Sequence, residues 1–595
     1  MFSVGSSSVS ASTYSISYWS AIKKGCYYLI PGLVFAIILA YVDRFGFLYA
    51  GADLQFHASR IFEFYQHIKN GNLIPVISTF SANQIGSIVP TMYPSFPVYI
   101  GAVLQFIFPP VTAMYVLMWV QLMTQFSIAK WVSKELGLSL TESTMAAFIY
   151  TMATPTLSQV IQQWLFGEVW AMSFMPLVLL GLIRLAKTTT DNVVKLDKKT
   201  ISLLVIGFTL VILSHVLSFA IVAGYTALFT LFLLIFRKNR WNVLANLSVA
   251  AVITILLSLV FLMPFIIAML GNTLATPAAT ELTIWAAPDW HEFVKATFTI
   301  AADARFKTNT VGIIAFLAIF GVVLTWRKQD RFTKIATLVS VAVIFSGSSY
   351  VWNYLYDTKL GVIQFPHRVF IIAIFLLSVS AILAIRNVIS KRWLQQTIYI
   401  GLALFSFAFA VFNIKYGFVD RVNALAVQTD YKSTAKHPVS YAPMANFKVN
   451  NDDFENLMGY WDTYGAFDYL PENVDFNKSL QKKAIVQNHE LLQTKATSEP
   501  NGLTYQAKLA KNTKTIIPMV GYQSLNYEIT DQNNHQYQYK INKNKQLVIN
   551  TTNRPVSELT VHAKTPVTTY VAWVISLTTG AGLIIYIIWD KRRKA

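Results

Sequence analysis

Cysteine is almost missing from this chain: of 595 residues only Cys26 carries a thiol. A lone thiol forms no intrachain disulfide, so any exported part must fold on its own apolar core, which a segment of sufficient length can do. Charge is also scarce. Asp, Glu, Lys and Arg make up 13% of the residues, roughly half the share expected of a soluble globular domain. Walker, GxGxxG, CxxC and HExxH motifs are absent, which removes the sequence case for an ATPase, a dinucleotide-binding redox fold or a zincin. Acidic residues are the rarer sign, 29 against 48 basic ones, for a net charge of +19. That excess does not imply nucleic acid as a partner, because the basic residues form short clusters between apolar segments, with no groove-reading motif or aromatic-interleaved stripe.

What the chain has in plenty is apolar surface. Residues of the AVILMFWYC set make up 54%, and the mean hydropathy is +0.46. Runs of spanning length centre on 25–43, 111–130, 142–159, 170–186, 200–214, 218–236, 242–268, 309–326, 334–350, 367–386, 395–413 and 567–589. The expected class is an all-α polytopic membrane protein of about twelve transmembrane helices with a β-rich extracellular domain near its C-terminus. Short basic clusters support this count by the positive-inside rule. Lys23/Lys24, Lys130/Lys134, Arg237/Arg240, Arg386/Lys391/Arg392 and Lys591–Lys594 all fall on one side, so both termini are expected in the cytoplasm. The polar start before Lys23 imitates a signal peptide, but no small-residue cleavage motif follows, and Cys26–Tyr41 reads as a retained helix. The stretch 92–110 is apolar, yet Pro94, Pro97, Pro109 and Pro110 suit a shorter interfacial or re-entrant helix better than a thirteenth span.

Three regions follow from this reading: a membrane domain over 1–413 with its first outer loop at 44–110, an extracellular domain over 414–566, and a last helix with a basic tail over 567–595. Strand character recurs at Leu503–Ala507, Lys514–Val520, Leu525–Ile529, Gln536–Ile541, Gln546–Asn550 and Leu559–Ala563, which predicts a small β-sandwich.

The densest ionisable set beside an apolar span is GADLQFHASRIFEFYQHIK, residues 51–69. On a helix starting at Asp53, the residues Asp53, His57 and Arg60 share one face, with Glu63 near it. This is either a capping Asp on a solvated interfacial face or a carboxylate with a histidine neighbour. The second arrangement can deprotonate a hydroxyl or contribute to a divalent cation site centred on Asp53. Glu168, in the next loop of the same outer face, offers a second carboxylate or an interfacial anchor beside Trp164 and Trp170. His215 ends the short fifth span and is a site candidate by its depth. Gln364-Phe365-Pro366-His367-Arg368 opens the tenth span, where Arg368 either snorkels to headgroups or binds a phosphate beside the helix N-terminus. Tyr460 and Trp461, among Asp452, Asp453 and Asp462, form a patch suited to stacking on sugar faces, with a solvated acidic loop as the plainer alternative. Together these groups fit transfer of a group carried on a lipid phosphate to an acceptor outside the cell.

The chain resembles the YfhO-like bacterial membrane proteins, members of the GT-C superfamily of polyprenyl-phosphate-sugar glycosyltransferases. The likeness rests on Asp53 opening the first outer loop, Phe56-His57, Gly71, Pro75 and Tyr93-Pro94, on Gln364-Phe365-Pro366 with Arg368, and on Tyr469-Leu470-Pro471 in a β-rich outer domain before a last helix. The resemblance implies a polyprenyl-phosphate-sugar donor, Asp53 as the catalytic base or as a holder of an acceptor or cation, Arg368 serving the donor, and an acceptor among envelope glycopolymers such as teichoic acids or glycolipids. Many GT-C members carry two acidic residues in this loop and Gly51-Ala52-Asp53 has one, so the resemblance does not decide cation dependence. A transporter or flippase of lipid-linked saccharides, and a non-catalytic envelope assembly protein, are the alternatives.

Overall fold

The computed structural model describes residues 11–594 apart from 45, 50–52, 188–193, 238, 276–286, 301–307, 421–447, 461–468, 473 and 475–477, with side chains described from Gly25. Long runs of Leu, Ile, Phe and Val without turn residues make helices here, because a backbone surrounded by hydrocarbon must satisfy its own N–H and C=O groups. Eight helices are long and apolar enough to cross a membrane. They are α1 (Ala11–Asp43, from Gly25), then, after α2 (Leu54–Lys69) and α3 (Phe96–Leu104), α4 (Pro110–Glu135), α5 (Phe166–Lys187), α6 (Val216–Phe236), α7 (Arg240–Gly271), α8 (Phe370–Val388, entered through a turn at Pro366–Val369), α9 (Arg392–Ile414) and, after α10 (Asn451–Tyr460), α11 (Val567–Lys594). The chain is a multi-pass membrane protein.

The other four expected spans are shorter helices. Those at 200–214, 309–326 and 334–350 appear as Lys198–Ile212, Ile313–Leu324 and Arg331–Ser346. The one at 142–159 is broken: Leu140–Thr151 ends before Pro155, a one-turn helix and a π-turn at Ser158–Gln163 follow, and Trp164 takes a left-handed φ of 57°. Proline cannot continue the ladder, and the freed chain turns back to start α5 at Phe166. Within 92–110 the only helix, α3, has nine residues, about 14 Å of rise and less than half a hydrocarbon core.

Strands β1 (Leu48–Tyr49) and β2 (Lys448–Val449) tie the end of α1 to the segment before α10. The remaining strands are β3 (Ala484–Gln487), β4 (Glu490–Gln493), β5 (Lys495–Glu499), β6 (Gly502–Leu509), β7 (Lys514–Val520), β8 (Asn526–Asp531), β9 (Tyr539–Ile541), β10 (Gln546–Asn550) and β11 (Val556–Lys564). They form two antiparallel sheets, β4-β3-β7-β10-β9 and β5-β6-β11-β8. Leu503, Tyr505, Ile517, Met519, Ile529, Leu547, Ile549, Leu559 and Val561 fill the core of this domain, each buried to the last percent. Strands β3, β4 and β5 were not anticipated: β4 and β5 are mostly exposed and rich in Lys, Glu, Gln and Thr, and β3 is a buried run of only four residues, Ala-Ile-Val-Gln.

The loop after α2 is woven into this β-domain. Val76 N–H donates to Asn501 Oδ1, Thr79 Oγ1 to the Glu499 carbonyl, Val520 N–H to the Ile85 carbonyl, and Ile88 N–H to Tyr522 Oη. Its other side is fastened to α2: the buried Glu63 carboxylate accepts the N–H groups of Thr79, Phe80 and Ser81 and the Nε2–H of His67. Glu63 therefore holds a loop rather than joining His57 and Arg60. Lys483, 4% exposed, donates to Gln84 Oε1 across the same junction.

Burial lowers the Lys483 ammonium from 10.5 to about 7. Between those values the unfolded chain binds a proton that the folded one lacks, so stability rises with pH across that window. The expected result is an unfolding midpoint that climbs from about pH 7 to about pH 9.5, with Lys483→Met flattening the climb. Thermal unfolding of the detergent-solubilised chain at several pH values reads both effects.

Candidate active site

The ionisable residues gather at the β-domain end of the helical bundle. Asp53 precedes α2, where its backbone N–H donates to the Gln163 carbonyl (3.0 Å) and its carbonyl accepts from His57 N–H (3.1 Å). Its carboxylate makes no capping bond to the first turn, which sets aside the purely capping role. One turn on, His57 and Arg60 meet on the same face: Arg60 Nη1 donates to His57 Nδ1 at 3.2 Å. Because Nδ1 accepts, the neutral ring carries its proton on Nε2. Burial, then the Arg60 and His215 charges, hold His57 well below the ordinary histidine range, so the ring is neutral.

His215 repeats the arrangement. It caps α6, its Nδ1 accepting from Ser218 N–H at 3.2 Å and lying 2.8 Å from Ser218 Oγ. Burial, then Arg368 and Arg60, likewise push it well below its usual range. Both histidines are thus hydrogen-bond donors through Nε2.

Tyr93 joins these parts. Arg60 lies 4.2 Å over its ring, and the His57 and His215 rings stand 5.7 and 6.0 Å from it. Asp53, Arg60, Arg368 and Tyr469 all act electrostatically on its phenol. A Cβ on Gly167 would come within 2.9 Å of the Tyr93 hydroxyl and 2.8 Å of the Ser214 carbonyl, so only glycine lets the start of α5 approach this closely.

Arg368 and Glu168 are paired. Arg368 Nε donates to Glu168 Oε2 at 3.0 Å, with side chains 8% and 3% exposed. Gln159 Nε2 donates to Glu168 Oε1 at 3.0 Å, and Arg368 Nη1 to the Ile363 carbonyl at 2.9 Å. The pair bridges two helix entrances 200 residues apart in sequence. Arg368, expected either to snorkel to headgroups or to bind a phosphate beside a helix N-terminus, lies in the turn before α8, its own N–H bound to the Phe365 carbonyl. His367 stacks on Phe365 at 5.8 Å, its Nε2 buried without a partner. Gln364 takes a left-handed φ of 61°. Trp461 and the side chain of Tyr460 lie outside the described residues.

The described residues do not by themselves assemble a dication site around Glu168. Hard cations need several oxygens, whereas Glu168 is bound to Arg368 and Gln159, and among the described residues no three His, Cys, Asp or Glu stand together.

Three site residues were not singled out for chemistry from the sequence. Tyr93 and Tyr469 entered only as parts of short Tyr-Pro and Tyr-Leu-Pro elements. Gln159 was visible only as a polar interruption in an apolar run.

No family model and no curated protein matches this chain. Among solved structures it is similar to the arabinofuranosyltransferase AftD from Mycobacteria, with 12% identity and a TM-score of 0.45 over 88% of this chain and 40% of that one. It is similar to ArnT from Cupriavidus metallidurans bound to undecaprenyl phosphate, with 12% identity and a TM-score of 0.42 over 90% and 98%. The Archaeoglobus fulgidus oligosaccharyltransferase in its apo form has 12% identity and a TM-score of 0.36 over 67% and 57%. The chain thus spans less than half of AftD and just over half of the oligosaccharyltransferase. Likenesses of this depth carry no argument about activity.

Proposed function

We propose that this chain is a GT-C-type membrane glycosyltransferase that moves a sugar from a polyprenyl-phosphate donor to an extracellular glycopolymer or glycolipid. The observation that carries the reading is one carboxylate, Asp53, beside a cluster of cationic and donor groups, where both histidines have their Nδ1 lone pairs engaged. Such a cluster suits a phosphate, and Asp53 is left as the base. The acceptor oxygen bonds to the anomeric carbon, the bond from that carbon to the phosphate oxygen breaks, and the acceptor proton passes to the Asp53 carboxylate. The polyprenyl phosphate leaves as an anion.

In this reading the basic clusters place the termini in the cytoplasm and the β-domain outside. The finer likeness to YfhO-like proteins, and with it a Gram-positive envelope acceptor, belongs to the same proposal.

The test is release of polyprenyl phosphate by the purified chain from a panel of polyprenyl-phosphate sugars offered with envelope glycopolymers and glycolipids. Turnover with one donor is the expected result; binding without turnover across the panel would instead indicate a flippase or an assembly protein. His57→Gln keeps a side-chain N–H donor and is expected to retain more activity than His57→Ala, with both above Asp53→Asn. A loss on His57→Gln as large as on Asp53→Asn, at equal protein abundance, would make His57 the base.

A further inference from the structure

Arg60 is a buried cation with no anion to answer it. Its side chain is 4% exposed, and among the described residues no carboxylate stands within ion-pair distance. Its neighbours are neutral: His57 Nδ1 at 3.2 Å, the Pro94 and Tyr93 carbonyls at 2.6 and 3.3 Å, and the Tyr93 and Phe56 rings at 4.2 and 5.6 Å. Its Nε–H has no partner. Dipoles and ring faces offset only part of the desolvation cost of a guanidinium, and buried charges are ordinarily paired. Arg368 differs in this respect, since Glu168 already cancels its charge at 3.0 Å. Of the two arginines in this polar cluster, Arg60 is therefore the one that no carboxylate among the described residues meets within ion-pair distance.

Further donors stand around it. His57 carries its proton on Nε2, and Tyr93 offers a phenol beside Gly167 and His215. Tyr469 comes from the segment leading into the β-domain. It has a left-handed φ of 68° and is pinned by a backbone clasp in which its N–H donates to the Ala275 carbonyl (2.8 Å) and Ala275 N–H to the Leu470 carbonyl (2.7 Å). A tyrosine in that conformation is strained unless its surroundings hold it. The clasp supplies that restraint, and the Tyr469 phenol acts electrostatically on both Arg60 and Tyr93.

We propose that Arg60, and not Arg368, binds the phosphate of the lipid-linked donor, with His57 Nε2–H, Tyr93 and Tyr469 as its further hydrogen-bond donors. The substrate class is a phosphate monoester or diester anion at the end of a polyprenyl chain. This rests on the glycosyltransferase reading and deepens it: the site is built jointly by α2, the loop before α3 and the entry to the β-domain.

Binding of a short-chain polyprenyl monophosphate to the purified full-length chain in detergent tests it, with size-exclusion and thermal unfolding as folding controls. Arg60→Gln is expected to weaken binding roughly 10- to 100-fold. Arg60→Lys should recover part of the loss, because the charge stays while the planar fork goes. Tyr469→Phe should weaken binding by roughly 3- to 10-fold. The paired variant Glu168→Gln/Arg368→Met, which removes both charges together, should bind nearly as the parent does. The reverse pattern, with Arg60→Lys and Tyr469→Phe unaffected and the paired variant deficient, overturns the assignment. Failure of the parent chain to bind polyprenyl monophosphate overturns the glycosyltransferase reading itself. Equal competition by inorganic phosphate, or by phosphatidylglycerol vesicles, would overturn the polyprenyl assignment in favour of free phosphate or an ordinary headgroup.

Discussion

Asp53→Asn is expected to lower sugar transfer by roughly 10²- to 10⁴-fold, the range for loss of a general base, while abundance and folding stay close to the parent. The substitution is nearly isosteric, and the Asp53 carboxylate caps no first-turn N–H of α2, so the start of that helix does not depend on its charge. The backbone bonds that seat residue 53, to the Gln163 carbonyl and from His57 N–H, survive the change. The loss should fall on kcat with a small change in donor KM, because a base acts in the transition state rather than in donor binding. Single-turnover transfer with saturating donor separates the two. An Asn variant that keeps more than about a tenth of the parent rate would remove Asp53 from the chemistry. Its failure and that of the Arg60 assignment are separable, since one reads turnover and the other reads equilibrium binding.

The second large effect is on stability. Arg368→Ala leaves the Glu168 carboxylate, 3% exposed, without its counter-ion. Removing one partner of a buried pair costs about 3–5 kcal/mol, whereas replacing both by uncharged residues of similar volume is often close to neutral. The expected series in thermal unfolding is a large drop for Arg368→Ala and a much smaller one for Glu168→Gln/Arg368→Met. Glu168→Gln alone should fall between, because it keeps a carbonyl oxygen that can accept from Arg368 Nε. If Arg368→Ala leaves stability unchanged but abolishes turnover, the pair is part of the reaction rather than the tie between the entrances of α5 and α8.

The meeting of Asp53, His57 and Arg60 on one helix face was readable from spacing, because residues three and four apart on a helix are neighbours whatever surrounds them. His57 and Arg60 are indeed in contact. Apolar run length likewise sufficed for the eight long helices, alternation of apolar and polar residues for strands β6 and β11, and short apolar runs between turn residues for β7 and β10. Local pattern failed where a break depends on what the chain meets next. The apolar segment 142–159 looked continuous, but Pro155 and the left-handed Trp164 turn it into two pieces that deliver Gln159 and Glu168 to the site.

By itself, then, the sequence determined the class of protein, the β-rich domain near the last helix and the shared face of His57 and Arg60 on α2. These depend on hydrophobic periodicity and charge scarcity, which act over a few turns of chain. Only the tertiary structure decided which charges cancel. Glu168 meets Arg368 across 200 residues, Glu63 turns away to hold the 79–81 loop, and Arg60 is left buried with no acid among the described residues within ion-pair distance. Pairing of this kind is a property of distance in space. Coulomb attraction between buried groups depends on their distance in space and takes no account of separation along the chain.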